Sequence, residues 1–249
     1  MRNVLVFVFA IQLMCSLAWS RQIKMQLQDT TARGSPVHLS GEALFDDDAS
    51  ERIRFSYRID GSVANTSNRG LMLIVIHFTS SGLKGPPLDY RYKKDYFFSL
   101  DVLEPGGIEA FHSSTIRFGM PTVNGEPLPE SYYGGSTPVV TAQITFAEFV
   151  DGSTWGDVET GSEPLIVRSQ TVQELSRLER VLREQGEEVL KDEFSKSDNA
   201  LPCIGSVMDR CSGKAPSCFV DALRPMIEAV RQHQTDMRPK SAYLGDAFR

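Results

Sequence analysis

The hydrophobic period of this chain changes once, near residue 170, and that change restricts it to a β-rich body followed by helices. Upstream, apolar residues recur at every second position. Ile53, Phe55, Tyr57 and Ile59 alternate with Arg52, Arg54, Ser56, Arg58 and Asp60, which gives one apolar and one polar face. Leu71 to Phe78 is apolar on both faces and predicts a central strand. Tyr90, Tyr92, Phe98 and Leu100 predict a further strand, and Val140, Ala142, Ile144 and Phe146 a late one. Shorter candidates are Val37–Leu44, Ile108–Phe118 and Pro164–Val167. Turns rich in Gly, Pro and Asp join these runs in place of crossover helices. About seven largely antiparallel strands are therefore expected, stacked as two sheets, with a small barrel as the alternative.

The turns have a chemistry of their own. In Leu103-Glu-Pro105-Gly106-Gly107, Pro sits where φ near −65° is wanted and Gly where φ turns positive. Asp151-Gly152 closes the late strand in the same way. Residues 119–138 differ: four Gly, four Pro and the pair Tyr132-Tyr133 in a long loop without a period. Loops of that length are usually functional or disordered.

Taken together, the alternating strand, Asn65-Thr-Ser67 before the Leu71 run, Leu103-x-Pro105-Gly106, and Phe149-x-Asp151-Gly152-Ser153-x-Trp155-Gly156 resemble a group of uncharacterised exported bacterial proteins with an immunoglobulin-like β-sandwich. The resemblance covers residues 36–160. It implies a fold and an export route but no reaction. No Cys lies between residues 16 and 202, so a disulfide-pinned antibody-type core is excluded.

Beyond residue 170 the period is helical. Thr171-Val-Gln-Glu174 has the pattern of a capping box, and Val172, Leu175, Leu178, Leu182 and Val189 form one stripe. A helix is expected from Val172 to Phe194, with Gly186 costing about 1 kcal/mol relative to Ala. Two more are expected after Pro202 and near Pro216, the second kinked or restarted at Pro225. The stripe is expected to pack on the sandwich; a dimerising coiled coil is the alternative. The expected organisation is thus a signal peptide at 1–20, a leader at 21–35, an immunoglobulin-like β-sandwich at 36–168, a helical region at 169–234 and a flexible tail at 235–249.

The N-terminus sets the compartment. Arg2, an apolar run from Val4 to Met14 and the small residues Ala18 and Ser20 have the layout of a secretory signal peptide. Cys15 lacks the small residues that lipidation needs just before it. No later apolar stretch is long enough to span a bilayer, so no transmembrane segment is expected after cleavage. Export places the remaining cysteines in oxidising surroundings. If residues 203–211 are helical, Cys203 and Cys211 lie about 12 Å apart, too far to bridge. Cys211 and Cys218 flank a helix–helix turn and are expected to pair, leaving Cys203 over.

Signals for chemistry are sparse. A net charge of −6 argues against a nucleic-acid surface. His38, His77, His112 and His233 lack metal-ligand spacing, and Asp46-Asp47-Asp48 lacks the alternating oxygen ligands of a calcium loop. No phosphate loop, dinucleotide fingerprint or nucleophile elbow occurs, and no cofactor is expected. Arg91, Lys93 and Lys94 suggest a guarded strand edge. Asn65-Thr-Ser67 would accept a glycan only in a eukaryotic pathway. The expectation is an exported, non-catalytic binding or interaction module of the cell envelope, its partner an unknown protein or envelope component met through Tyr132 and Tyr133. The alternative is an envelope or extracellular hydrolase using carboxylates such as Glu130, Asp151 and Asp157. N-terminal sequencing of the exported protein should begin at or near Arg21; an intact Met1 would remove the export premise.

Overall fold

The computed structural model describes residues 21–48, 54–81, 88–113, 116–119, 139–197 and 201–236. Among these are nine strands: β1 (Arg21–Asp29), β2 (Val37–Asp48), β3 (Arg54–Asn65), β4 (Leu71–Ser81), β5 (Asp89–Asp95), β6 (Ile108–His112), β7 (Ile116–Gly119), β8 (Val139–Phe149) and β9 (Thr154–Gly156). Four helices follow: α1 (Val158–Gln185), α2 (Glu187–Phe194), α3 (Pro202–Cys211) and α4 (Pro216–Asp236). The strands share one hydrogen-bonded path, β5-β4-β8-β1-β2-β3-β6, with β7 added to β3 and β9 to β8. No described helix is long and apolar enough to cross a membrane.

This path differs from two separately stacked antiparallel sheets. Arg21–Asp29, expected within a leader, is a strand in the middle of the path. Its first part pairs antiparallel with β2, and Leu27–Asp29 pair parallel with Val140–Ala142 of β8. The period of β1 is visible in Met25 and Leu27, both buried, but Lys24, Gln26 and Gln28 dilute it. The parallel pair needs no crossover helix because more than a hundred residues separate its strands. The sheet also curls until its two edges approach. Across the gap Tyr92 and Phe111 meet as a tilted pair with ring centroids 5.3 Å apart, Lys94 lies 3.3 Å from Glu109, and the Tyr96 hydroxyl donates to Glu109. Side chains thus close what backbone pairing leaves open.

Smaller departures have local causes. The strand at Tyr90 ends at Asp95, whose carboxylate accepts the Phe97 amide and turns the chain, so Phe98 and Leu100 lie beyond it. Ile108–Phe118 divides into β6 and β7. Pro164–Val167 is helical, not extended, because α1 starts at Val158. The Asp157 carboxylate caps it, accepting from the Glu159 amide at 3.0 Å and the Thr160 hydroxyl at 2.7 Å. Thr171 therefore lies inside a helix, where its hydroxyl donates to the Val167 carbonyl. Gly186, at φ +88°, ends α1 before α2 begins.

α1 lies on the outer face of β4 and β8. Leu165 packs with Leu73, Val75 and Phe146 in a small apolar cluster. Gly161 permits this approach: a Cβ there would meet Phe146 ring carbons at 2.5–2.6 Å. Further along, Val172, Leu175, Leu178 and Val181 are buried in the same apolar core as Met72, Ile74 and Phe149 of the sheet and Leu223 and Val230 of α4. The helical stripe is covered within the chain, as expected for packing on the sheet. The boundary at residue 168 divides both α1 and this shared core. Cys211 and Cys218 are disulfide-bonded with Cα atoms 5.7 Å apart, across the turn between α3 and α4; Cys203 is free and half-buried.

The Gly161–Phe146 contact makes a sharp prediction. Helix propensity alone favours Gly161→Ala by about 1 kcal/mol. Overpacking costs about 1–3 kcal/mol, and the close ring makes that effect dominate. Gly161→Ala should lower the melting temperature, and Phe146→Leu in that background should recover part of the loss. Thermal melts of the two single variants and the double variant form the cycle; additive losses would show that the contact does not limit the packing.

Candidate functional site

The three motifs that carry the resemblance meet at one end of the sheet. Asn65, the last residue of β3, is fully buried and its side-chain amide donates to the carbonyls of Arg69 (2.7 Å) and Leu103 (2.8 Å). Its own backbone bonds to Gly106 and Gly107. Gly106, at φ +75°, makes that turn possible, with the Gly107 amide donating back to Glu104. Leu103 then bridges to Leu71. On the far side the Val150 amide donates to the Gly70 carbonyl at 2.9 Å. Arg69 donates to the Ser153 hydroxyl and lays its guanidinium 4.2 Å from the Phe149 ring centre. Three turns distant in sequence are thereby fixed to one another by hydrogen bonds.

These turns and the last turns of α4 enclose a cleft of about 390 Å³. Its walls are Gly70, the segment Leu100, Val102 and Glu104, the pair Val150 and Asp151, and Gln232 and His233 from α4. Gly70 is small for a reason: a Cβ would meet Val150 and Val102 methyls at 3.0 and 3.1 Å. The two valines can therefore close over it as an apolar floor. Leu100 is 45% exposed, unusual for leucine, and lines the opening. Asp151 accepts from the Ser153 amide at 3.0 Å and faces Arg69 at 3.9 Å. His233 is buried, its ring 5.7 Å from that of Phe97, and its Nε2–H donates to the Ser99 carbonyl at 2.7 Å. That bond fixes the tautomer, and the buried Nδ1 has no partner among the described residues. The cleft thus combines apolar surface, the exposed Glu104 carboxylate and the Gln232 amide, with Asp151 already held by Arg69 and Ser153, a set suited to recognising a group that is apolar and carries a positive charge at one side.

The residues expected to act distribute unevenly over this structure. Tyr132, Tyr133 and Glu130 lie outside the described residues, as do residues 120–138 as a whole. Asp151 lies in the cleft wall, whereas Asp157 is engaged at the start of α1. There its bond from Thr160 above all holds the carboxyl below the ordinary aspartate range. Those two expected acids have separate employments. Asn65 uses both amide protons inside the fold, so it is not a surface acceptor for a glycan. His77 pairs with Asp89 at 2.7 Å and His112 with Asp60 at 2.9 Å, and no group of three metal-ligating side chains occurs among the described residues. Lys93 pairs with Glu163 of α1 and Lys94 with Glu109, so part of the basic cluster ties β5 to its neighbours. Burial pushes the Cys203 thiol up to about 12, so it stays protonated and reacts slowly at neutral pH.

Sequence reasoning identified the turns but not the cleft. Leu100 read as a strand residue and His233 as an unremarkable member of a helix. Gly70 and Glu104 carried no signal by themselves. The usable hint was that two Gly-containing turns, at 105–107 and 151–152, end strands paired with or joined to the same apolar β4 run. No family model, curated protein or solved structure matches this chain.

Proposed function

We propose that this chain is an exported, non-catalytic binding protein of the cell envelope that receives its partner at the cleft between the sheet end and α4. The observation that carries this reading is the convergence of three hydrogen-bonded turns and a helix end on one concave surface. A site whose walls are already ordered loses little conformational entropy on binding. Its volume falls within the range of ligand pockets, and the Glu104 carboxylate at its wall favours a partner presenting a cationic group beside apolar surface. The Cys211–Cys218 disulfide supports an oxidising compartment and hence export.

Within this proposal the kinship with immunoglobulin-like exported proteins is retained. Two groups of mostly antiparallel strands share β1, and a strand that changes partners at a corner is one way of joining the halves of a sandwich. Tyr132 and Tyr133 supply a second contact surface, because Tyr gives large amphipathic area at low entropic cost.

Affinity capture with the mature protein on its native envelope tests both surfaces. Leu100→Asp with Glu104→Lys should reduce capture at least tenfold and leave the melting temperature within about 3 °C, since Leu100 and Glu104 are exposed. Unaltered capture would remove the cleft from the proposal.

Tyr132→Ala with Tyr133→Ala should also weaken binding of the captured partner about tenfold or more at constant stability, as truncation of interface anchors does. A large drop in melting temperature with no loss of affinity would instead make the pair structural.

A further inference from the structure

Away from the cleft, the outer face of the sheet buries an unbalanced set of charges. Leu73 of β4 is paired on one side with Asp95 of β5 and on the other with Glu148 of β8. The two carboxylates thus flank one leucine in a single row across three strands. Arg168 of α1, only 2% exposed, descends onto that row. Its Nε and Nη2 donate to Asp95 at 3.0 and 2.9 Å, while Nη1 donates to Glu148 at 2.6 Å. One guanidinium therefore serves two carboxylates, and Asp95 has the bidentate share. Glu148 is 3% exposed and keeps a single guanidinium contact.

Among the described residues, Arg168 is the one cation that acts on Glu148. From α3 comes the Cys203 thiol, close enough to Asp95 to feel its charge. Phe97 lies beneath the guanidinium, its ring centre 4.7 Å from Cζ, and His233 of α4 packs on that same ring. β9 contributes Thr154 opposite Glu148. On α1 and β5 the nearest ionised pair, Glu163 with Lys93, is already neutralised within itself. With every carboxylate ionised, the cluster holds a net negative charge in a region of low dielectric, where an uncompensated ion is costly.

We propose that this cluster holds one proton in the folded protein, carried by Glu148, and that it thereby couples the packing of α1 on the sheet to pH, tightening the fold in mildly acid surroundings and loosening it as the pH rises. The proton leaves Arg168 and Asp95 as a neutral bidentate pair, with Glu148 as an uncharged neighbour. Desolvation by burial raises the Glu148 carboxyl above the ordinary glutamate range, outweighing the opposing attraction of Arg168. Its affinity for protons is thus higher folded than unfolded. The resulting stabilisation is complete below the unfolded value, near 4.3, and is lost as pH rises through the folded value.

The full mature chain carrying Glu148→Gln is the test, since the amide keeps the shape and still accepts from Arg168. Melting temperatures of wild type and variant are compared from pH 4.5 to pH 8.5. Each tenfold gain in proton affinity is worth about 3–5 °C at this chain length. The wild type should lose at least that much relative to the variant between the two ends of the range. Alkylation of Cys203, which lies against the cluster, should speed up with pH more steeply in the wild type than in the variant. Parallel melting curves with equal alkylation slopes would overturn the proposal. Should the variant fail to fold, the carboxyl carbon-13 shift of Glu148 in the wild type decides: titration within the ordinary range for glutamate overturns the idea, and titration above it supports the idea.

Discussion

The helices stay on the sheet through a guanidinium at the centre of an otherwise apolar contact. Arg168 stands about halfway along the sheet-facing part of α1, with Leu165 in the small outer cluster before it and Val172 in the main core after it. Apolar burial is indifferent to direction and would tolerate the helix sliding by a turn. Two hydrogen bonds to Asp95 and one to Glu148 do not tolerate it, because a planar fork must meet each carboxylate edge-on. Arg168 thus fixes the axial position of α1, and that position places Gly161 over Phe146. Removing one partner of such a buried pair typically costs about 3–5 kcal/mol.

The charge arrangement also orders the other helices. α2 and α4 pack against α1 and α3 packs against α4, and Arg177 continues the electrostatic stitching by engaging Glu174 at 2.8 Å and Glu193 of α2. His233, near the end of α4, meets Phe97, the ring on which Arg168 rests. The cleft wall formed by α4 and the salt-bridged row on the sheet are therefore joined through a single aromatic side chain. Ordering of one end of this assembly has its origin in the other.

How much of this was legible beforehand depends on range. Period-two alternation located β3 and β8, an unbroken apolar run located β4, and the helical period located the stripe that begins Val172, Leu175, Leu178, because these signals are local and repeat. The pairing of Cys211 with Cys218 followed from helix rise, which separates Cys203 from Cys211, and from the turn that Cys211 and Cys218 flank. The β1 strand was lost because its outward residues are Lys and Gln with few β-branched neighbours, so burial by two flanking strands, not propensity, makes it a strand. The true start of α1 was hidden because Pro164–Val167 reads as a short strand. Yet Asp157 had already capped the helix, and a proline in its second turn is accommodated by tertiary packing. Arg168 carried no signal, since nothing near it in sequence reveals Asp95 or Glu148. The cleft depends on pairings of that same long-range kind.

The position of β1 has a consequence for the order of events when the chain is made. β1 is the earliest described strand, yet one of its partners is β8, and the Thr31 hydroxyl beyond it receives the amide of Ile144, 113 residues later. The two halves of the sheet cannot be joined until that late strand has left the ribosome. At ordinary elongation speeds of about 5–20 residues per second, β1 and β2 wait roughly 6–20 s with one flank open. Contacts so distant along the chain also close slowly after synthesis. The keystone strand of this sheet is therefore made before its partner and locks last.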